Sequence, residues 1–197
     1  MNLLDCACGI GTQAIGFAQA GHRVVASDLS RAAVARAERE ARLRDLDISF
    51  FVSDMASLDE IAGGGFNVAV ALDNALPHLK PSHLRRAVRT MGSKLEPGGV
   101  FMASIRDCDN LILQRPAIQA PAFYGERGAR RIVHQVWDWI DHERHTVHIY
   151  ITMQSGEEWT AHHFATEYRC LLRDELASAL TSAGFEHVKW LTPEESG

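Results

Sequence analysis

The chain has 197 residues, 46% hydrophobic and 23% charged, with a formal net charge of −5. That size and balance predict one soluble globular domain, acting on a small molecule rather than on nucleic acid or an anionic membrane. No apolar run approaches the ~20 residues of a membrane span, the N-terminus lacks the basic flank of a signal peptide, and Cys6, Cys8, Cys108 and Cys170 form no CxxC pair, so a cytoplasmic location is expected.

In chain order, Asn2 to about Cys6 is a short apolar strand running into a glycine loop. A helix from about Thr12 to Ala20 stops at Gly21, and HRVVAS (22–27) is a β-branched strand. Ser30 caps a helix rich in Ala, Arg and Glu. DISFFVSDM and, after three glycines, FNVAVAL are the third and fourth strands. A helix follows Ser82 until Pro97-Gly98-Gly99 breaks it before the strand VFMASI. Unbroken alternation of strands and helices from residue 2 to about 106 predicts a doubly wound α/β domain with a mostly parallel, Rossmann-like sheet.

After Asp109 the pattern changes. RRIVHQVWDWID, TVHIYITMQ and EWTAHHFATEYRC read as an antiparallel meander, turning at His142–Arg144 and Ser155–Gly156. LLRDELASALTSAGF returns to helix and EHVKWLT to strand. A single domain is therefore expected: a cofactor-binding core over 1–109, a meander insertion over 110–170 covering the mouth of the active site, and a closing helix and strand over 171–197. The first strand begins at residue 2 and the chain stops soon after the last, so further upstream and downstream elements of the sheet are expected.

Residues 2–30 outline a nucleotide-cofactor site. Gly9-x-Gly11-x-x-Ala14 matches the dinucleotide fingerprint, and Asp28 falls about 20 residues beyond it, where a carboxylate holds ribose hydroxyls. NAD and S-adenosylmethionine (SAM) share these features. Asp5 separates them, because no Lys or Arg lies between Met1 and Arg23 to offset a carboxylate beside two phosphates. Near a sulfonium and an α-ammonium the same carboxylate is attractive. Asp54, at the end of the third strand, adds an acid in reach of an adenine amino group. An NAD-dependent oxidoreductase is the rival reading.

The stretch LDCACGIGT resembles the first motif of class I SAM-dependent methyltransferases, in the variant of the glycine/sarcosine N-methyltransferase group, with Ala7 where glycine is usual. ALDNALPHL (71–79) is similar to that group's fourth motif, LEPGG to its fifth-strand entry, and SIRDCDNL to its HRNYD segment. The resemblance implies that Ala7, Gly9 and Gly11 pack backbone against the methionine part of SAM and that Asp5 orients its amino group. It further implies that Asp28 holds the ribose, Leu29 lies against adenine, Asp54 and Met55 meet the adenine rim, and the Leu72 carbonyl approaches the methionine amino group. The implied reaction is methyl transfer to a small-molecule acceptor, an amine or amino acid nitrogen, releasing S-adenosylhomocysteine (SAH). A SAM-binding domain without catalysis is the second rival, and a homo-oligomer is left open.

Asn74 and His78 follow the fourth strand, where an acceptor meets the sulfonium, and are the catalytic candidates; His78 either accepts a proton or only caps a helix. Arg106, which by the resemblance binds a substrate carboxylate, has Asp107 and Asp109 beside it, so an ion pair is equally open. Asp107-Cys108 replaces the family's Asn-Tyr, which separates the substrate from glycine itself. No metal site is expected: Cys6-x-Cys8 reads as two half-buried thiols, and His142, His145 and His148 as a solvated hairpin. Val136, Trp137, Trp139, Tyr150 and Phe164 read as packing of the meander.

Overall fold

A computed structural model of the chain describes residues 1–196. They form two compact units, Met1–Arg106 with the chain from Arg173 on, and Asp107–Leu172.

In the first unit, β1 (Asn2–Asp5), β2 (Arg23–Asp28), β3 (Ile48–Val52), β4 (Phe66–Ala71) and β5 (Leu95–Ala103) form a parallel sheet in the order β3-β2-β1-β4-β5. The chain winds outward through β1, β2 and β3, then crosses back to lay β4 beside β1. That reversal opens a crevice at the carboxyl ends of β1 and β4, where doubly wound sheets bind ligands. Leu3, Val24, Ala26 and Val70 form a core with Cys8 and Ala14, and Phe17, Ile48 and Phe50 pack against it.

The helices follow from local chemistry. The first, α1 (Thr12–Gln19), starts from Gly11 in the left-handed region without a side-chain cap, and turns Ala14 inward. The Ser30 hydroxyl accepts the Ala33 N–H and starts α2 (Arg31–Arg42), which buries Val34, Ala37 and Ala41. Exposed pairs Glu38–Arg42 and Glu40–Arg44 line its other side at 3.8 and 2.7 Å, worth only a few tenths of a kcal/mol each. Pro81 opens α3 (Pro81–Lys94), whose Leu84, Ala87, Val88 and Met91 are buried. From the later chain, α5 (Arg173–Ser182) packs against α3, and Phe185 lies 5.8 Å from Phe101, ring to ring.

Two expectations fail here. Pro97-Gly98-Gly99 lies within β5 and not before it: the register jumps from Phe66↔Leu95 to Val68↔Val100, so the three residues bulge from a strand whose outer side has no neighbour. An edge strand tolerates a proline because the missing N–H faces no acceptor. Residues 186–192, read as a strand, form none, and among the described residues the parallel sheet has five strands. Alternating polarity makes a strand only where a neighbouring edge completes the ladder.

The second unit begins with α4 (Cys108–Gln114), capped by Asp107, whose carboxylate accepts the Asn110 N–H. An antiparallel sheet follows, in the order β6 (Ile118–Tyr124), β7 (Arg131–Trp139), β8 (Arg144–Ser155), β9 (Glu158–Arg169). Three of its strands and both turns are those read from the sequence. The helix and β6 are additions: Pro116 and Pro121 bracket and interrupt β6, so the segment reads as loop. His145 corrects the solvated-hairpin reading. It is 3% exposed, its ring centroid 4.8 Å from those of both Trp137 and Trp139. Phe164 departs from the packing assigned to it and is 57% exposed. Beyond α5 the described residues include a short turn of helix, α6 (Pro193–Ser196).

Candidate cofactor site and active site

The carboxyl ends of β1, β2 and β3 bring the first set of expected residues to one edge of the sheet. Asp5 closes β1, and Ala26 lies opposite it on β2; Asp28 closes β2 opposite Val52 on β3. Asp5 is 2% exposed, and its Oδ1 accepts the Ala7 N–H at 3.2 Å. Burial is the main reason its pKa rises from 3.8 to about 7; the Asp28 charge adds to the rise and the Ala7 hydrogen bond opposes it. A carboxylate in this position gains from any cation that replaces its lost water.

Asp28 ties two loops together. Its Oδ2 accepts the Gly9 N–H at 2.9 Å and its Oδ1 the Ser30 N–H at 2.8 Å. The carboxylate therefore caps the turn, and each oxygen keeps a second lone pair that these bonds do not use. The loop is closed further by Cys8 N–H to Ser27 O at 2.9 Å and Gly11 N–H to Cys8 O at 2.8 Å. Gly9 (φ +53) has nothing within 4 Å of where a Cβ would stand, so open space adjoins its backbone. Leu29 is 74% exposed beside Asp28 and offers apolar surface at this edge. Ser27 was not singled out from the sequence; it is fully buried, and its Oγ has no hydrogen-bond partner.

Asp54 is placed differently from the other two acids. Its side chain is exposed, and Oδ1 accepts the Ala56 N–H at 2.8 Å in a local turn. Met55 beside it is half-buried. The structure thus brings Asp5 and Asp28 into electrostatic contact, while Asp54 stays exposed in its own local turn.

The second set follows β4. Leu72 is half-buried; Asp73 and Asn74 then take left-handed backbone angles (φ +54 and +61). Non-glycine residues pay for that conformation, here twice in succession. Asn74 Oδ1 accepts the Arg106 N–H at 3.1 Å and so joins the loop after β4 to the segment that follows β5. A one-turn 3-10 helix, Leu76–His78, presents the imidazole. Although His78 is exposed overall, loss of water around the ring lowers its pKa, and the Arg106 charge lowers it further. Both effects favour the uncharged imidazole.

A cavity of about 560 Å³ lies elsewhere, at the amino-terminal edge of the strands, lined by Asn2, Arg23, Asp45, Asp47 and Phe66. It touches none of the residues above, and the loop chemistry makes the carboxyl edge the better site. Cys6 and Cys8 are buried, and burial pushes both thiols up, so they are poor metal ligands. Among the described residues no three His, Cys, Asp or Glu side chains converge on a metal position, and no helix is long and apolar enough to cross a membrane.

One consequence of the Asp5 environment is measurable. The folded-state pKa lies above the ordinary value, so the stabilisation from protonated Asp5 is complete below about pH 3.8 and is lost as pH rises through about 7. A bound cation favours the ionised form, so its binding releases a proton below pH 7. Affinity for SAM is therefore expected to rise between pH 6 and 8, as read by calorimetry, and Asp5→Asn is expected to flatten that slope; an unchanged slope in the variant would assign the effect to another group.

Comparison with known proteins agrees with this geometry. Residues 3–99 match the family model described as a methyltransferase domain. A glycine/sarcosine N-methyltransferase from Parasynechococcus marenigrum is 31% identical over 112 residues, which is 56% of this chain and 40% of that protein. The chain thus spans less than half the length of this curated relative. Among solved structures, a SAM-dependent methyltransferase from Clostridium acetobutylicum superposes with a TM-score of 0.76 at 18% identity, over 92% of this chain and 72% of the other. A sugar N-methyltransferase from Streptoalloteichus sp. also gives 0.76, at 21% identity, over 93% and 71%. With its motif, sheet order and relatives in agreement, residues 3–99 form a methyltransferase domain, and the chain has the class I SAM-dependent methyltransferase fold.

Proposed function

We propose that the chain transfers a methyl group from SAM to a nitrogen of a small amine, amino acid or amino sugar. The observation that carries this reading is His78, whose charged form is disfavoured by lost water and by the Arg106 charge, on the loop that follows the strand next to the Asp5 tip. The N-methylating relatives support the nitrogen acceptor.

The cofactor fits the residues present. Gly9 leaves room for close approach of a ligand to its backbone, the buried Asp5 gains from the α-ammonium, and the spare lone pairs of Asp28 suit the ribose diol. Leu29 and Met55 offer apolar surface to adenine, with Asp54 at the rim and the Leu72 carbonyl on the methionine side. SAM supplies an electrophilic methyl group on a sulfonium; the chain's part is alignment, for which positioning contributes roughly 7–11 kcal/mol. Asn74 sets the loop by gripping the Arg106 backbone, Arg106 holds an anionic group of the acceptor, and His78 keeps the attacking amine neutral by accepting its proton.

The test is an incubation with SAM and a panel of amines, amino acids and amino sugars, scored for SAH and for products one methyl group heavier. His78→Gln is expected to lower kcat about 100-fold or more, with the acid limb of the pH profile lost. Arg106→Ala is expected to raise KM for carboxylate-bearing acceptors while sparing neutral ones. SAM binding with no turnover across the panel would favour the non-catalytic reading.

A further inference from the structure

We propose that β9 is the interface of a symmetric dimer, in which two copies of this chain join antiparallel along that edge. Among the described residues the edge strands of the two sheets are β3, β5, β6 and β9, each paired on one side only, and three of them are guarded in the ways that natural sheets use to prevent edge pairing. β3 has only five residues. β5 bulges at Pro97–Gly99. β6 carries Pro121, and its register shifts between Gln119 and Ala122.

β9 has none of these guards. It runs for 12 residues without Pro, Gly or Lys, in unbroken register with β8 from Glu158 to Arg169, and ten consecutive residues from Glu158 to Glu167 are exposed. Trp159 and Phe164 lie on it at 47% and 57% exposure. Such an edge presents outward N–H and C=O groups along the exposed run from Glu158 to Glu167, and a stretch this long is a liability unless something pairs with it.

The strand is complementary to itself. A two-fold axis perpendicular to the sheet pairs antiparallel strands with matching faces, so opposed residue numbers sum to an even value. With Phe164 on the axis, its ring meets the partner's Phe164. Thr160 then faces the partner's Tyr168, Ala161 the partner's Glu167, and His162 the partner's Thr166. No like charges are opposed, and cross-strand aromatic pairs stabilise antiparallel sheets. Moving the axis to His163 would oppose two imidazoles, each already hydrogen-bonded to its own His148 at 2.9 Å.

Sedimentation velocity over a wide concentration range tests this. The wild-type chain is expected to sediment as a dimer, and Phe164→Lys, which opposes two ammonium groups at the axis, to weaken association by about tenfold or more. Phe123→Lys, on the guarded β6 edge, is expected to leave it unchanged. Hydrogen exchange on the wild-type chain gives an independent readout: amides of residues 159–168 should gain protection as concentration rises. A monomer at every concentration, a dimer indifferent to Phe164→Lys, equal loss in Phe123→Lys, or β9 exchange independent of concentration would each overturn the proposal.

Discussion

Gly11→Val is expected to destabilise the chain by roughly 2–5 kcal/mol and to abolish cofactor binding with the fold. Two costs add. Gly11 sits at φ +89, a region that costs a side-chain-bearing residue about 1–2 kcal/mol. Its Cβ would also stand 2.8 Å from the Ala37 Cβ and 3.3 Å from the Ala37 Cα, atoms fixed to the α2 backbone, and overpacking of that kind costs about 1–3 kcal/mol. Gly11 therefore serves the approach of α1 to α2. Gly9, at φ +53, carries the same backbone cost of about 1–2 kcal/mol, but it is the contrast in packing, because a Cβ there meets no protein atom. Gly9→Ala is expected to stay folded and to lose SAH affinity, since the methyl group occupies the space the ligand uses. Thermal melts and SAH titrations of the two variants separate packing from binding; similar melting losses in both would refute the distinction.

Asp28→Ala is expected to weaken SAH binding by about 100-fold or more. The substitution removes the acceptor for the ribose and frees the Gly9 and Ser30 N–H groups that now bond the carboxylate. Hydrogen bonds to a charged group contribute about 1.5–3 kcal/mol each, and the loss of two is enough to release the glycine loop from the tip of β2. Asp54→Ala is the comparison: its carboxylate is exposed and holds only the Ala56 N–H, so a loss of tenfold or less is expected. Calorimetry on both variants would measure the ranking, and equal losses would contradict the unequal roles assigned to the two acids.

Much of this was legible from the sequence because the parallel sheet is written in local patterns. Apolar strands, glycine stops and the Ser30 cap each act within a few residues, and the acids of the cofactor loop fall at strand ends that any reader of the alternation can locate. What the sequence withheld depends on partners far along the chain. The grip of Asn74 on the Arg106 backbone spans 32 residues, and only the fold shows that the Asn side chain positions a loop. The burial of His145 between two tryptophans likewise needs the register of β7 on β8. EHVKWLT failed for the converse reason: its alternation is real, but a strand exists only with a neighbour. Asp5 was read by charge alone, and its burial adds what sequence could not give, a carboxyl group poised near neutrality.

The central claim is that this loop accepts a cationic nucleoside without phosphate, and side-by-side calorimetric titration of the ligand-stripped chain with SAM, SAH and NAD⁺ tests it most directly. Saturable binding of SAM and SAH with no heat from NAD⁺ is the predicted result. Binding of NAD⁺ with none of SAM would contradict the account.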